Sequence, residues 1–146
     1  MERKPVLVLD ASIILKWYKE EEDSDKALEI RDKSIRGELQ ISVPDLVLYE
    51  MANALRYSQQ CTPDDIARVI DNFSKFEIDI VVPTTNLINK AGRIAMEYDI
   101  TVYDGVYLAL AEDLAFSLVT ADLKFYRKIE TLSWAQFLNP EKLGAK

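Results

Sequence analysis

The chain is predicted to be an α/β protein with a central parallel sheet of about five short strands and helices on both faces. Short apolar runs alternate along it with longer segments of helical periodicity, which is the pattern of consecutive β-α-β units. The first run, VLVL at 6–9, is apolar throughout, as expected of a central parallel strand covered on both faces. We find no internal repeat or linker, so residues 1–146 are expected to form one domain.

In the first half, helices are predicted over 11–18 and 25–37, and the second of these is amphipathic with three inner residues: Ala27, Ile30 and Ile35. A strand over 38–43 ends at Pro44. Asp45 is predicted to cap a helix that runs to about Gln60 and buries one face: Val47, Met51, Ala54, Leu55 and Ser58. The next helix starts at Thr62-Pro63 and turns four residues inward: Ile66, Val69, Ile70 and Phe73.

In the second half, a strand over 79–83 precedes a helix over 86–98. Residues 100–103 (ITVY) are predicted to be extended and to lead into an apolar helix over 104–115. SLVT at 117–120 is the last strong strand, and a short helix follows from about Leu123. The tail from 131 is expected to dock through three apolar residues: Trp134, Phe137 and Leu138.

Composition excludes several classes of chemistry. The chain has no histidine, so histidine-based triads, imidazole acid–base catalysis and histidine-ligated zinc are excluded. Its one cysteine, Cys61, excludes an internal disulfide and a cysteine-rich zinc site. The net charge of -7 argues weakly against a nucleic-acid partner. No apolar run is long enough to span a membrane or to act as a signal peptide, so a cytoplasmic location is expected.

Four acidic residues stand where a strand ends or an apolar helix lies: Asp10, Glu50, Asp104 and Asp122. Asp10 and Asp122 follow strands, and sites in parallel sheets form beyond the carboxyl ends of strands. Either can also cap a helix, and the two roles are compatible. Glu50 lies inside its helix and has no capping role. Asp104 opens a helix that is apolar nearly all round, so its carboxylate is expected to be sheltered.

Together, these acids predict a cation site. Like charges about 4 Å apart repel by roughly 4 kcal/mol at an effective dielectric near 20, so clustered carboxylates take up protons or bind a cation. Oxygen ligands favour Mg²⁺ or Mn²⁺, which acidify bound water and polarise a phosphoryl oxygen. Ser12 and Thr120, each two residues from an acid, can position water or substrate, or can simply be hydroxyls at a helix start and a strand end.

The chain resembles PIN-domain ribonucleases, and most of all the VapC toxins of VapBC toxin–antitoxin pairs. Three segments carry the resemblance nearly end to end: VLVLDASIILKWY, VPDLVLYEMANAL and TVYDGVYLALAEDLAFSLVTAD. It implies a metal-dependent endoribonuclease that cleaves single-stranded RNA such as tRNA, rRNA or mRNA, a cognate antitoxin and a homodimer. It also implies that the four acids hold one or two Mg²⁺ or Mn²⁺ ions, with three polar residues around them: Ser12, Asn53 and Thr120.

The acidic balance departs from what RNA binding requires. The candidate RNA-binding residues are the cations that lie near the motifs in sequence: Lys16, Arg56, Lys124, Arg127 and Lys128. For each of them, an ordinary solvated surface charge is the competing interpretation.

Three alternatives stay open at this point. A stand-alone PIN nuclease of RNA processing has the same site without an antitoxin. A receiver-like, Mg²⁺-dependent phosphoacceptor domain needs an acid at the end of the third strand, which DIVVPTT lacks. The third alternative is a catalytically silent binding module on the same fold, against which the presence of all four acids argues.

Overall fold

The computed structural model describes residues 4–144, which fold around one sheet of five parallel strands. The strands are β1 (Val6–Leu9), β2 (Gln40–Pro44), β3 (Asp79–Val81), β4 (Ser117–Thr120) and β5 (Ala135–Phe137). Their order in the sheet is β3-β2-β1-β4-β5, and every neighbouring pair is parallel. The predicted α/β class is confirmed.

Helices connect successive strands. They are α1 (Ala11–Ile14), α2 (Ser24–Ile35), α3 (Leu46–Arg56), α4 (Pro63–Ser74), α5 (Thr85–Tyr98), α6 (Val102–Leu114) and α7 (Leu123–Ile129). Short 3-10 segments at Leu15–Trp17 and Pro140–Gly144 extend α1 and follow β5. The chain moves from β1 towards β3 and then crosses to β4 and β5, so right-handed crossovers place α1–α4 on one face of the sheet and α5–α7 on the other.

This change of direction fixes where a site can form. β1 pairs with β2 on one side and with β4 on the other, and Leu9 is in register with Val119. The connections leaving β1 and β4 run to opposite faces of the sheet, which opens a crevice beyond their carboxyl ends. Asp10 follows β1 directly, and Asp122 lies two residues beyond β4.

Helix α6 is the most buried helix and covers the centre of the sheet. An uninterrupted run of its residues, 105–111, is buried, and the helix contacts β1, β2 and β4. It packs most closely on α5, because Gly105 has no side chain: a Cβ there would lie 2.6 Å from the carbonyl oxygen of Ala91. The buried run confirms that this helix is apolar nearly all round.

Two predictions in the second half are wrong. Residues 100–103 are not extended throughout: Thr101 has extended angles (φ -72°, ψ 157°), but α6 begins at Val102, and the Thr101 hydroxyl caps it by accepting from the backbone N–H of Asp104 at 3.0 Å. The fifth strand is instead Ala135–Phe137, in the tail, which pairs with β4. Docking of the tail is confirmed, because Phe137 is only 6 % exposed and the partly buried Trp134 and Leu138 pack against the core.

The first half needs smaller corrections. Asp45 has helical backbone angles (φ -60°, ψ -20°), so within the described residues its side chain makes no capping hydrogen bond, and α3 ends at Arg56 rather than near Gln60. Ile35 is 61 % exposed rather than inward, because it is the last residue of α2 and lies beyond the core. Ala54 is also exposed.

No helix within residues 4–144 combines the length and the apolar character that crossing a membrane requires.

Candidate active site beyond β1 and β4

Asp10 is buried and held from three directions at the end of β1. It caps α1, with Oδ1 accepting from the Ser12 backbone N–H at 3.1 Å and also from the Ser12 hydroxyl. Its other oxygen, Oδ2, accepts from the Thr120 hydroxyl at 2.5 Å. These bonds fix the orientation of a carboxylate that is only 6 % exposed.

The two hydroxyls also join the ends of the neighbouring strands. Ser12 Oγ accepts from the backbone N–H of Ala121 at 2.8 Å, and Thr120 Oγ1 accepts from that of Asp122 at 3.1 Å. Ser12 and Thr120 therefore orient the Asp10 carboxylate and close the turn after β4. In this structure their hydroxyls are engaged with protein groups, which favours an orienting role over direct contact with substrate.

Burial is the main reason why the Asp10 carboxyl is a weaker acid than usual. It raises the pKa of the carboxyl from an ordinary 3.8 to about 7, although the Ser12 and Thr120 hydrogen bonds oppose the change. The charges of Asp104 and Glu50 raise the pKa further. In the absence of a nearby cation, the Asp10 carboxyl therefore keeps its proton up to about neutral pH.

Asp122 and Asp104 are presented by the first turns of two helices. Asp122 caps α7, with Oδ1 accepting from the Phe125 backbone N–H at 3.1 Å, as its position after β4 predicted. Asp104 is the third residue of α6 rather than its first, so Thr101 provides the cap. The half-buried Asp104 side chain has a pKa raised by burial and by the charge of Asp122.

Glu50 projects from α3 and is held by the core. The hydroxyl of Tyr107, on α6, donates to Glu50 Oε1 at 2.5 Å. Burial raises the pKa of Glu50, the Tyr107 hydrogen bond opposes the change, and the charge of Asp104 adds to it. Asn53 lies one turn further along α3 and is exposed, lining a groove with Glu50.

Asp104 links the four acids electrostatically. Its charge raises the pKa of both Asp10 and Glu50, and the charge of Asp122 raises the pKa of Asp104 itself. Residues far apart in sequence are therefore close enough to perturb one another, as the clustering hypothesis requires.

The chemical type of the donor atoms suits a hard divalent cation. All four side chains offer carboxylate oxygens, and three of them carry raised pKa values that a nearby positive charge would lower. Within residues 4–144, however, no three acidic side chains converge closely enough to share one ion as they stand. Asp122 is exposed and Asp104 and Glu50 are half-buried, so rotation of these side chains is the adjustment that binding requires.

A pocket of about 430 Å³ opens beside Asp104 and Asp122. Lys124 and Lys128 line it on the α7 side. Lys128 is anchored, since its Nζ donates to the Asp99 carbonyl oxygen at 2.7 Å and lies 3.6 Å from Asp99 Oδ2. Two of the five candidate cations thus adjoin the acids.

The other three candidate cations are engaged elsewhere. Lys16 donates to the Glu22 carbonyl oxygen at 2.7 Å, and its side chain is largely covered. Arg127 pairs with Glu130 at 3.0 Å, and the Arg56 guanidinium lies 5.1 Å from the Tyr57 ring centroid. None of the three is among the residues that line the acidic pocket.

Sequence reasoning missed Tyr107 and Thr101. Tyr107 is one apolar-looking residue in a buried run, and nothing in its neighbourhood indicates a partner on α3. Thr101 had a usable signal, because a threonine three residues before an acid is typical of a helix start. The β-branched and aromatic neighbours of Thr101 favour a strand instead, which competes with this signal.

Sheet topology decides against the receiver-like alternative. Receiver domains have the strand order 2-1-3-4-5, with the third strand at the centre. Here β1 is central, and β3 is an edge strand followed by Val82 and Pro83 rather than an acid.

Comparison with known proteins agrees with this fold. Ribonuclease VapC3 of Pyrobaculum aerophilum is 28% identical over 130 residues, which cover 86% of this chain and 96% of that protein. A toxin–antitoxin complex from Klebsiella pneumoniae contains a similar chain, with a TM-score of 0.69 at 14% identity, covering 91% of this chain and 98% of that one. The sarcin-ricin loop cleaving toxin VapC20 of Mycobacterium tuberculosis gives a TM-score of 0.66 at 12% identity, covering 83% and 93%.

The model of the PIN domain family matches residues 7–130, which contain all four acids, β2, β3, β4, all but the first residue of β1, and the helices α1 to α7. The chain belongs to the PIN domain family.

Proposed function

We propose that this protein is an endoribonuclease that hydrolyses single-stranded RNA with Mg²⁺ or Mn²⁺ held by Asp10, Glu50, Asp104 and Asp122. The observation that carries the proposal is the electrostatic coupling of these carboxylates at the switch point of the sheet, where three of them have raised pKa values. The relationship to Ribonuclease VapC3 supports the same activity.

The cation and the side chains of the site would have separate roles in catalysis. A divalent cation, when bound, supplies an acidified water and neutralises charge on the scissile phosphate. Ser12 and Thr120 hold Asp10 in one orientation, and Tyr107 holds Glu50 through a hydrogen bond to Oε1. Lys124 and Lys128 line the pocket that contains Asp104 and Asp122, which supports a role for them in binding the phosphate.

The proposal includes a protein partner. The similar chains come from structures described as toxin–antitoxin and VapBC complexes, which supports a cognate antitoxin for this chain and a toxin role. A short reading frame directly upstream whose product copurifies with this protein is the expected observation. Without such a partner, the activity would be that of a stand-alone nuclease. We also propose a homodimer, which sedimentation equilibrium tests directly.

Cleavage of a labelled single-stranded RNA in the presence and absence of metal tests the activity. We expect cleavage with Mg²⁺ or Mn²⁺, loss of cleavage with excess EDTA and recovery when metal is restored. Asp10→Asn is the informative variant, because asparagine keeps the size and the capping ability of Asp10 but removes its charge. Asp25→Asn, in the exposed first turn of α2, is the matched control and should cut like the wild type.

A folded Asp10→Asn protein that cuts RNA as fast as the wild type would refute the proposed site. Labelling of the protein by acetyl phosphate would point instead to a phosphoacceptor. RNA binding without cleavage under any metal would indicate a silent binding module.

A further inference from the structure

A small apolar slot lies beside Glu50, with a volume of about 190 Å³. Two tyrosines, Tyr49 and Tyr103, line it and also line the adjoining groove that contains Glu50 and Asn53. The remaining walls are almost entirely apolar and include Pro44, Pro83, Ile88 and Val106. Pockets for drug-sized ligands measure roughly 300–1,000 Å³, so this slot suits a single ring system.

The tyrosines are placed by the same helix turns that carry the acids. Tyr49 directly precedes Glu50 on α3, and Tyr103 directly precedes Asp104 on α6. Consecutive Cα atoms are only about 3.8 Å apart, so each wall of the slot begins one residue from a proposed metal ligand. A phosphate held at the acids therefore has its neighbouring nucleotides within reach of the slot.

Both rings are unusually exposed for such large side chains. Tyr49 is 72 % exposed and Tyr103 is 64 % exposed. Aromatic rings that project beside a nucleic-acid site commonly serve as stacking platforms, because every base has an apolar face. Asn53 lies one turn from Tyr49 on the same side of α3, where its amide can pair with the edge of a base.

The small number of lysines around the site favours base contacts as a source of affinity. The acidic pocket and the groove are lined by two lysines among the described residues, against four acids: Glu50, Asp99, Asp104 and Asp122. Lys128 is already paired with Asp99. The lysines therefore offer few phosphate contacts, and contacts with bases would add affinity that does not depend on the charge of the RNA.

We propose that this slot binds one unstacked base of the RNA substrate, sandwiched by Tyr49 and Tyr103, next to the phosphate that is cut. The inference rests on the proposed function and names the feature of the substrate that the site recognises. The enzyme then requires an unpaired nucleotide at this position. Duplex RNA is excluded because its bases are stacked and paired, and this selection needs no contact with the RNA backbone.

The experiment compares two single-stranded oligonucleotides of equal length, oligo-A and an abasic strand with the same backbone. Affinity is measured by fluorescence anisotropy with Ca²⁺ in place of Mg²⁺, and gel electrophoresis checks that the strands stay intact. We expect Tyr49→Ala and Tyr103→Ala each to weaken oligo-A binding by roughly 5- to 150-fold, the range for loss of one stacked base. Affinity for the abasic strand should stay unchanged.

Two further sets of variants control for folding and for general aromatic effects. Tyr49→Phe and Tyr103→Phe keep the ring and should retain most of the affinity. Tyr57→Ala is the matched control, because Tyr57 is 76 % exposed just beyond the end of α3 and does not line the slot. It should bind oligo-A like the wild type.

Salt dependence gives an independent measure. Each contact with single-stranded phosphate contributes a slope of about -0.7 to log K against log[salt], so two lysines allow a slope no steeper than about -1.4. A much steeper slope would overturn the argument that bases carry the affinity.

The contrary outcomes are distinct. Equal loss of oligo-A and abasic binding overturns the slot, as does unchanged binding in both alanine variants. If the alanine substitutions instead halve the molecular mass in sedimentation equilibrium, the rings belong to an interface between copies. Base-dependent binding without cleavage under any metal would overturn the proposed nuclease activity but not the base-binding slot. Cleavage that is unaffected by the tyrosine substitutions would overturn the slot but not the nuclease activity.

Discussion

The hydroxyl of Tyr107 donates a 2.5 Å hydrogen bond to Oε1 of Glu50, and this bond joins α6 to α3 across 57 positions of the chain. Tyr107 is 1 % exposed, so its ring is fixed by the core. Burial and the charge of Glu50 both raise the pKa of the Tyr107 hydroxyl, which keeps it protonated and donating. A core residue thus sets the orientation of the half-buried Glu50 carboxylate.

Tyr107→Phe should slow cleavage while leaving the fold intact. A hydrogen bond to a charged group contributes about 1.5–3 kcal/mol, so its loss should reduce the rate by roughly tenfold or more. Because the bond lowers the pKa of Glu50, the acidic limb of the pH–rate profile should move to higher pH. Single-turnover cleavage across pH measures both effects.

Tyr126→Phe is the control for this prediction. Tyr126 is also buried, but its ring packs 5.5 Å from that of Phe137, at the edge of the sheet away from α3. Equal effects of the two substitutions, or an unshifted pH profile in Tyr107→Phe, would contradict a positioning role for Tyr107.

The stability of the metal-free protein should fall as pH rises towards neutrality. The folded-state pKa of Asp10 is raised to about 7 from 3.8, so the folded protein holds this proton more tightly than the unfolded chain. The resulting stabilisation is complete below about pH 4 and is lost as pH rises through 7, by up to about 4 kcal/mol as an order of magnitude. Urea unfolding in EDTA from pH 5 to 8 measures the loss.

Asp10→Asn isolates this contribution, since it removes the titrating group and keeps the cap. The variant should lose less stability than the wild type over the same pH range, and Mg²⁺ should stabilise the wild type more at pH 8 than at pH 6. Parallel pH curves for the two proteins would show that Asp10 is not the group responsible.

Gly105→Ala should destabilise the protein. The added Cβ would lie 2.6 Å from the Ala91 carbonyl oxygen, so α5 and α6 would have to separate. Overpacking of this kind costs about 1–3 kcal/mol, which corresponds to a fall in Tm of several degrees for a chain of this size. Since Gly105 adjoins Asp104, cleavage should fall as well.

Gly92→Ala, on the neighbouring helix α5, should not destabilise the protein. A Cβ at Gly92 meets no described atom within 4 Å, and alanine is favoured over glycine inside a helix by about 1 kcal/mol. Its Tm should therefore stay the same or rise. If both substitutions lowered the Tm equally, close packing at Gly105 would not be the cause.

Local signals were sufficient to predict the strands that carry Asp10 and Asp122. Asp10 directly follows an apolar run, Asp122 lies two residues beyond one, and each caps a helix, so the capping role could be predicted from a few neighbouring residues. Residues 100–103 were misassigned because β-branched and aromatic residues favour strands, whereas the Thr101 cap and the packing of α6 decided the outcome.

Contacts between elements that are distant in the chain could not be predicted from the sequence. The bond between Tyr107 and Glu50 depends on how α6 and α3 cross, which no local pattern encodes. Strand β5 was missed for a similar reason, because AQF is three residues long and becomes a strand only by pairing with β4. The engagement of Lys16 with the Glu22 carbonyl likewise depends on a turn geometry that composition does not reveal.

Lys124 and Lys128 should be the cations that matter for RNA binding. Both line the acidic pocket, where a phosphate needs positive partners beside Asp104 and Asp122. Replacing either with glutamine should weaken binding of single-stranded RNA and reduce the slope of log K against log[salt] by about 0.7. Lys128→Gln should also raise the pKa of Asp104, since the lysine charge lowers it, so the titration is done at saturating metal.

Arg127→Gln tests whether the position of the charge matters. Arg127 shares α7 with both lysines, but it pairs with Glu130 at 3.0 Å and does not line the pocket. Its loss should leave affinity and salt slope near the wild-type values. An effect as large as that of Lys124→Gln would mean that RNA responds to the net charge of the helix rather than to two lysines at the acids.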